Sequence, residues 1–150
     1  MTPELREARA EDASAVVNLW QACGLTRPWN DPHADFGAAL ATPDACVLVL
    51  ADGAGNLYGT VLTGYDGHRG WIYYLAVAPD RQAEGHGRRL VVAAEAWLAA
   101  HGAAKVQLMV RDGNPVGEYY ASLGYEAQTV TVWGRWLDGD RAVSPSAAPR

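Results

Sequence analysis

Only two cysteines, Cys23 and Cys46, occur in the 150 residues. Their separation matches no metal-ligand spacing and builds no disulfide framework. Both read as reduced, buried or half-buried thiols of a cytoplasmic protein. Long apolar runs are also missing. The longest, 90–100, contains Glu95 and falls short of the ~20 residues a helical membrane span needs. The first residues, Met1-Thr-Pro-Glu-Leu-Arg-Glu7, lack the apolar centre of a signal peptide. Positive charge is in deficit: 12 Lys and Arg against 17 Asp and Glu leave a net charge of -5. That balance argues against nucleic acid or an anionic membrane surface as partner, and suits a cationic amine better. No internal repeat and no dividing linker is found. The P-loop string Gly-x4-Gly-Lys-Ser/Thr does not occur, nor does the dinucleotide fingerprint Gly-x-Gly-x-x-Gly in the helix-opening position.

What is present is ordinary for one globular domain: 49% hydrophobic and 19% charged residues, in a chain long enough for a proper core. Residues 4–8 read as a first strand. Glu11 and Asp12 then place acids where a helix starts, with Val16, Val17, Trp20 and Cys23 at helical spacing and Gly24 as its stop. A loop with two prolines, 25–33, leads to a second helix around 35–40, ended by Thr42-Pro43. Cys46 to Ala51 is a continuous apolar run, suited to a buried strand. Asp52-Gly-Ala-Gly-Asn56 is turn chemistry between that strand and a returning one, 57–65. Asp66-Gly-His-Arg-Gly70 is a second turn before a strand at 71–77. Leu90, Val91, Ala94, Trp97 and Leu98 stripe a helix from His86 to about His101. A strand at 106–110, a short helix at 114–123 and a final strand at 129–137 complete the order. From Gly139 onward the composition predicts a disordered tail behind a single domain, 1–138. Central meander strands with an αβα finish predict an α+β fold with a mixed sheet.

The stretch Val77-Ala-Pro-Asp-Arg-Gln-Ala-Glu-Gly-His-Gly-Arg-Arg-Leu90 carries the chemistry. A strand stops at Pro79, a glycine-containing loop follows, and a helix begins. That geometry presents backbone N–H groups to an anion. Gln82-x-x-Gly85-x-Gly87 has the spacing Q/R-x-x-G-x-G/A, and the glycines permit close backbone approach. Taken alone, the loop is equally a tight turn before a helix.

Four features agree in order and spacing: Tyr74-Leu75-Ala76-Val77-x-Pro79, the glycine loop, Asn114 at the opening of the last helix, and Tyr120-x-x-x-Gly124-Tyr125. Together they resemble the GNAT superfamily of acyl-CoA-dependent N-acetyltransferases across residues 5–137. The strings Arg27-Pro-Trp-Asn-Asp-Pro32 and Gly64-Tyr-Asp-Gly-His-Arg-Gly70 resemble the YpeA group of small bacterial members. The resemblance implies a central, mostly antiparallel mixed sheet flanked by about four helices, with acetyl-CoA as co-substrate and no metal. Its acceptor would be a small-molecule or peptide amine, attacked directly in a ternary complex. Amides of Gln82, Ala83, Glu84, Gly85, His86, Gly87 and Arg88 would hold the CoA pyrophosphate. Main-chain groups of Leu75, Ala76 and Val77 would pair with the pantetheine arm, and Asn114 would hydrogen-bond it. Tyr120 would protonate the departing thiolate, leaving Tyr119 to packing.

Ala83 and Glu84 depart from the family, which often has Gly and a basic residue there. Glu84 is expected to point to solvent, away from pyrophosphate. For the general base the candidates are Asp66, His68, Asp31 or a strand-held water, and Asp66-Gly-His-Arg-Gly70 is equally ordinary turn chemistry. Trp29, Asn30 and Asp31 would wall the acceptor site with Tyr65 and Tyr74; Trp29 packing in the core and Asp31 capping a helix is the other reading. Tyr73 and Tyr74 are expected on opposite faces of their strand. Late strands bearing Trp133 and Trp136 would allow a homodimer. Two other classes stay open: a CoA-binding module without catalysis, and a structural or protein-binding α+β domain.

Overall fold

The computed structural model describes residues 3–139, so the tail expected from Gly139 onward lies almost wholly outside the described residues. The chain divides into two compact units, one of residues 3–26 and 32–109, the other of residues 27–31 and 110–139.

The larger unit is a five-stranded mixed sheet with helices on both faces. Its strands are β1 (Glu4–Glu7), β2 (Ala45–Ala51), β3 (Leu57–Tyr65), β4 (Gly70–Val77) and β5 (Val106–Leu108). They lie side by side in chain order, antiparallel except for the parallel pair β4 and β5. Between them run α1 (Ala13–Ala22), α2 (Pro32–Ala41) and α3 (His86–Ala100).

Side-chain alternation decides which helix covers which face. Val47, Val49 and Ala76 pack with Val16, Val17 and Trp20 of α1 and Phe36 of α2. The opposite face meets α3: a Cβ at Gly59 would touch Leu90 and Leu50, and one at Gly70 would stand 2.7 Å from Leu98. β2 is therefore buried on both faces, which explains its unbroken apolar run. The entry to α1 is braced by Asp12, whose carboxylate accepts from the Arg9 backbone N–H at 2.7 Å and from Arg6 of β1 at 2.8 Å. That bidentate partner holds the Asp12 carboxyl below its ordinary range.

The smaller unit contains α4 (Gly117–Ser122). Its C-terminus closes with Tyr125 N–H donating to Tyr120 O and Gly124 N–H to Ala121 O, Gly124 taking φ +93°. Two expectations are corrected here. Asn114 does not open this helix; it sits in a turn, its N–H on Arg111 O at 3.0 Å, and the helix begins at Gly117. Pro115 is the reason, because the residue before a proline is pushed out of helical φ/ψ. The strand expected at 129–137 is also missing. Val130 and Val132 alternate as a strand would, yet Val130 is 74% and Trp133 92% exposed. Alternation supplies one apolar face, whereas a strand also needs a neighbour for its backbone groups.

Candidate active site

β4 positions the site. Its pairing with β3 is regular from Gly70 to Tyr73, then slips: Leu62 faces Tyr73, and Thr60 faces Ala76. Tyr74 and Leu75 together oppose Val61, so β4 carries a bulge, with Tyr74 at φ +52°. A bulky residue rarely adopts that conformation, and it is sustained by its surroundings. The bulge undoes the expected opposition of Tyr73 and Tyr74. Tyr74 packs into the α1/α2 core, and Tyr73 shares that face through its register partner Leu62.

Beyond the bulge β4 loses its second neighbour. β5 pairs with Gly70, Trp71 and Ile72 and no further. Ala78 N–H donates to Tyr58 O on β3. Backbone alternation then turns Ala76 toward β3 and Leu75 and Val77 to the other side, where pairing with β5 has ended. Of the three residues expected to offer main-chain groups there, Ala76 is committed to the ladder. Val77 O already accepts from Gln82 Nε2 at 3.1 Å and Cys23 Sγ at 3.2 Å. The Cys23 thiol is raised by burial, and that of buried Cys46 is pushed up to about 12, so both stay protonated.

The loop after β4 begins as a 3-10 turn, Pro79–Arg81, and ends at Gly85, the N-cap of α3. Ala83 at φ +64° and Gly85 at φ +88° put two left-handed residues around Glu84. Such alternation turns successive N–H groups toward one concavity, next to the positive end of a helix. Among the described residues no acceptor meets the N–H groups from Gln82 to Arg88; the first helical bond is Arg89 N–H to Gly85 O. The loop therefore fits a diphosphate: unspent donors, no side chain on Gly85, and exposed Arg88 beside them. Glu84 is exposed as expected, but it is also bound. Its Oε1 accepts from Arg81 Nε at 3.2 Å and lies 2.9 Å from His86 Nε2. Those contacts hold its carboxyl below the ordinary range, His86 contributing most. Arg81 in turn stacks on Tyr58, 4.2 Å from the ring centre.

Asp66, expected as a candidate base, is engaged in its turn. Its Oδ1 accepts from the backbone N–H of His68 at 2.8 Å and Arg69 at 2.7 Å, and its Oδ2 from Trp71 Nε1 at 3.1 Å. The backbone bonds above all hold the carboxyl below its usual value, which makes it a poorer proton acceptor. It closes the hairpin at the Gly70 end of β4, roughly 15 Å along the strand from Leu75 at ~3.3 Å per residue. A general base works at hydrogen-bond reach or through one water. Tyr65, paired with Gly70, stands at that same far end.

In the smaller unit Arg111 lies over the ring of half-buried Trp29 at 5.5 Å. Asn30 N–H donates to Arg27 O, and Asp31 is exposed just before α2. Tyr120 is half-buried, edge-on to Tyr119 at 5.4 Å and to Tyr125 at 6.1 Å. Burial raises its phenol, with Tyr119 adding to the effect, so it holds its proton more firmly than a free tyrosine. The sequence reading missed Asp35, which bonds Tyr74, and Cys23 as a partner of Val77; neither lies in a local motif.

The Acetyltransferase (GNAT) family model matches residues 5–125. The chain belongs to the GNAT acetyltransferase family. An acetyltransferase of Pectobacterium atrosepticum is 41% identical over 139 residues, covering 92% of this chain and 98% of the relative. One of Sodalis glossinidius is 41% identical over 140 residues with the same coverage. Among solved structures, AAC(6')-Iy in complex with the bisubstrate analogue CoA-S-monomethyl-acetylneamine shares the fold, with TM-score 0.76 and 14% identity over 91% of this chain and 99% of that one. A putative acetyltransferase of Agrobacterium tumefaciens shares it at TM-score 0.73 and 23% identity, over 89% and 99%. Within this GNAT domain the loop, the bulge and the stretch of β4 not paired with β5 lie at one end of β4 and the Asp66 turn at the other. No helix of the described residues is long and apolar enough to cross a membrane.

Proposed function

We propose that this GNAT protein is an N-acetyltransferase, moving acetyl from acetyl-CoA to a primary amine by direct attack in a ternary complex. The observation that carries this is the run of N–H groups from Gln82 to Arg88 with no acceptor among the described residues. In this reading those amides hold the pyrophosphate, with the charge of Glu84 offset by Arg81 and its carboxylate engaged by His86. Acetyl-CoA supplies the activated acyl group. Leu75 and Val77 align its pantetheine arm along the side of β4 where pairing with β5 has ended, and Asn114 hydrogen-bonds it. A main-chain N–H near the bulge faces the thioester oxygen as negative charge builds there; one such donor is worth ~3 kcal/mol.

Tyr120 is assigned the proton for the departing thiolate. Its raised phenol keeps it protonated at neutral pH, as a donor must be. Deprotonation of the amine falls to a strand-held water, since Asp66 is engaged in its turn. Trp29, Asn30 and Asp31 are assigned to the acceptor side with Tyr74, in a single domain. The protein is read as cytoplasmic.

Thiol release from acetyl-CoA in the presence of an amine panel tests the reading. Amine-dependent release is expected. Binding of CoA without release by any amine would instead support the non-catalytic CoA module, the reading that the engaged Asp66 favours. Tyr120→Phe is expected to bind acetyl-CoA normally and to lose at least about a hundredfold in kcat. Full turnover in that variant would remove the assignment.

A further inference from the structure

Asp35 and Tyr74 stand 39 residues apart in sequence, and the Tyr74 hydroxyl donates to Asp35 Oδ2 at 2.7 Å. Tyr74 is also held through its ring. Its ring lies flat on that of Trp20, centroids 3.9 Å and planes 9° apart. Trp20 is itself fully buried and meets Phe36, the neighbour of Asp35 on α2, edge-on at 6.4 Å. The backbone of Tyr74 is the left-handed residue of the β4 bulge. A chain of rigid contacts therefore fixes one carboxylate, half-buried, a tyrosine's length from the bulge. One oxygen of Asp35 is used by Tyr74; among the described residues no donor meets the other.

A held carboxylate with an open oxygen binds a cation. The charge it stabilises is that of an ammonium. An amine that attacks a thioester must be neutral, so the amine on Asp35 is not the nucleophile. Both demands are met by an acceptor with two amino groups, one charged and docked, the other free to react.

We propose that Asp35, held by Tyr74, is a specificity-determining residue that docks the remote ammonium of a diamine acceptor. The proposal rests on the acetyltransferase reading above. In the reaction the reactive amine first gives its extra proton to water. Its nitrogen then forms the bond to the acyl carbon, the carbon–sulfur bond breaks, and the thiolate leaves with a proton. The thiolate's proton comes from Tyr120, the second nitrogen proton returns to Tyr120 through solvent, and the docked ammonium keeps its charge throughout.

The test compares putrescine, cadaverine and butylamine as acceptors with acetyl-CoA, for the wild type and Asp35→Asn, by thiol release. A hydrogen bond to a charged group is strong enough for a tenfold to roughly hundredfold preference for the diamines in kcat/KM. Asp35→Asn keeps an oxygen for Tyr74 but no charge, and is expected to erase that preference. Asp35→Glu advances the carboxylate by one methylene and is expected to shift the preference from cadaverine toward putrescine. This second variant decides the matter if Asp35→Asn does not fold. Equal use of mono- and diamines by the wild type, or a preference that survives Asp35→Asn, overturns this inference alone. Transfer to no amine at all overturns the acetyltransferase reading along with it.

Discussion

The two halves of β4 share a strand and little else. From Gly70 to Ile72 it is paired on both sides, to β3 and β5, and its turn is tied by Asp66. From Tyr73 to Val77 it keeps β3 alone, carries the bulge, holds Tyr74 in a left-handed conformation, and has side chains of Gln82 and Cys23 on its last carbonyl. The closed half spends its backbone groups on the fold. The open half keeps the groups of Leu75 and Val77 turned away from the sheet, and the donor-rich loop follows directly. Conformational strain and free hydrogen-bonding capacity therefore gather at one end of one element, while the other end secures it.

If that division is sound, substitutions at the two ends should separate stability from CoA binding. The largest effect is expected from Leu98→Ala, which hollows the core under the closed half. Leu98 is fully buried, and the loss should be about 2–5 kcal/mol in urea unfolding, with CoA affinity retained in the folded fraction. Gly85→Val attacks the open side. A β-branched residue at φ +88° is strained by about 1–3 kcal/mol. If the loop shifts to relieve it, calorimetry should show CoA binding weakened by roughly tenfold to a hundredfold with the core intact. Gly70→Ala places a methyl 2.7 Å from Leu98 and should cost about 1–3 kcal/mol of stability while leaving KM for acetyl-CoA alone. Gln82→Ala removes one hydrogen bond to Val77 O, about 1 kcal/mol, and should raise KM for acetyl-CoA several-fold with little change in melting temperature.

The smallest effect is expected at Asp66. Its folded-state pKa is depressed, so its contribution is present above the ordinary carboxylate range and is lost as pH falls through the lowered value. Asp66→Asn should flatten that acid limb of the melting curve slightly and leave turnover unchanged at neutral pH. A collapse of turnover in Asp66→Asn would return the residue to catalysis and undo the contrast between the halves.

How legible this was depended on whether the signal was local. The hairpins at Asp52–Asn56 and Asp66–Gly70 and the stripe of α3 were readable because turn residues and helical spacing act within a few positions. The loop was readable for the same reason: glycine spacing, a strand ahead and a helix behind lie in one stretch. The turn contacts of Asp66 were not legible as against a base role, because a carboxylate that binds turn amides and one that takes a proton look identical as letters. Asn114 was placed three residues too early into its helix, although Pro115 stood beside it as the warning. Val130 and Val132 alternate without a neighbouring strand among the described residues, and composition does not reveal a missing neighbour. The bond between Asp35 and Tyr74 joins a helix to a strand, and only the fold brings them together.

The parting of β5 from β4 after three residue pairs has a consequence for exposure. From Tyr73 onward β4 pairs with β3 alone among the described residues, and a flat, unpaired strand flank invites any passing strand. A bulge is one of the devices that blunts such a flank, because it breaks the regular spacing an incoming strand would need. The same irregularity that holds Tyr74 in a left-handed conformation thus guards the strand against aggregation.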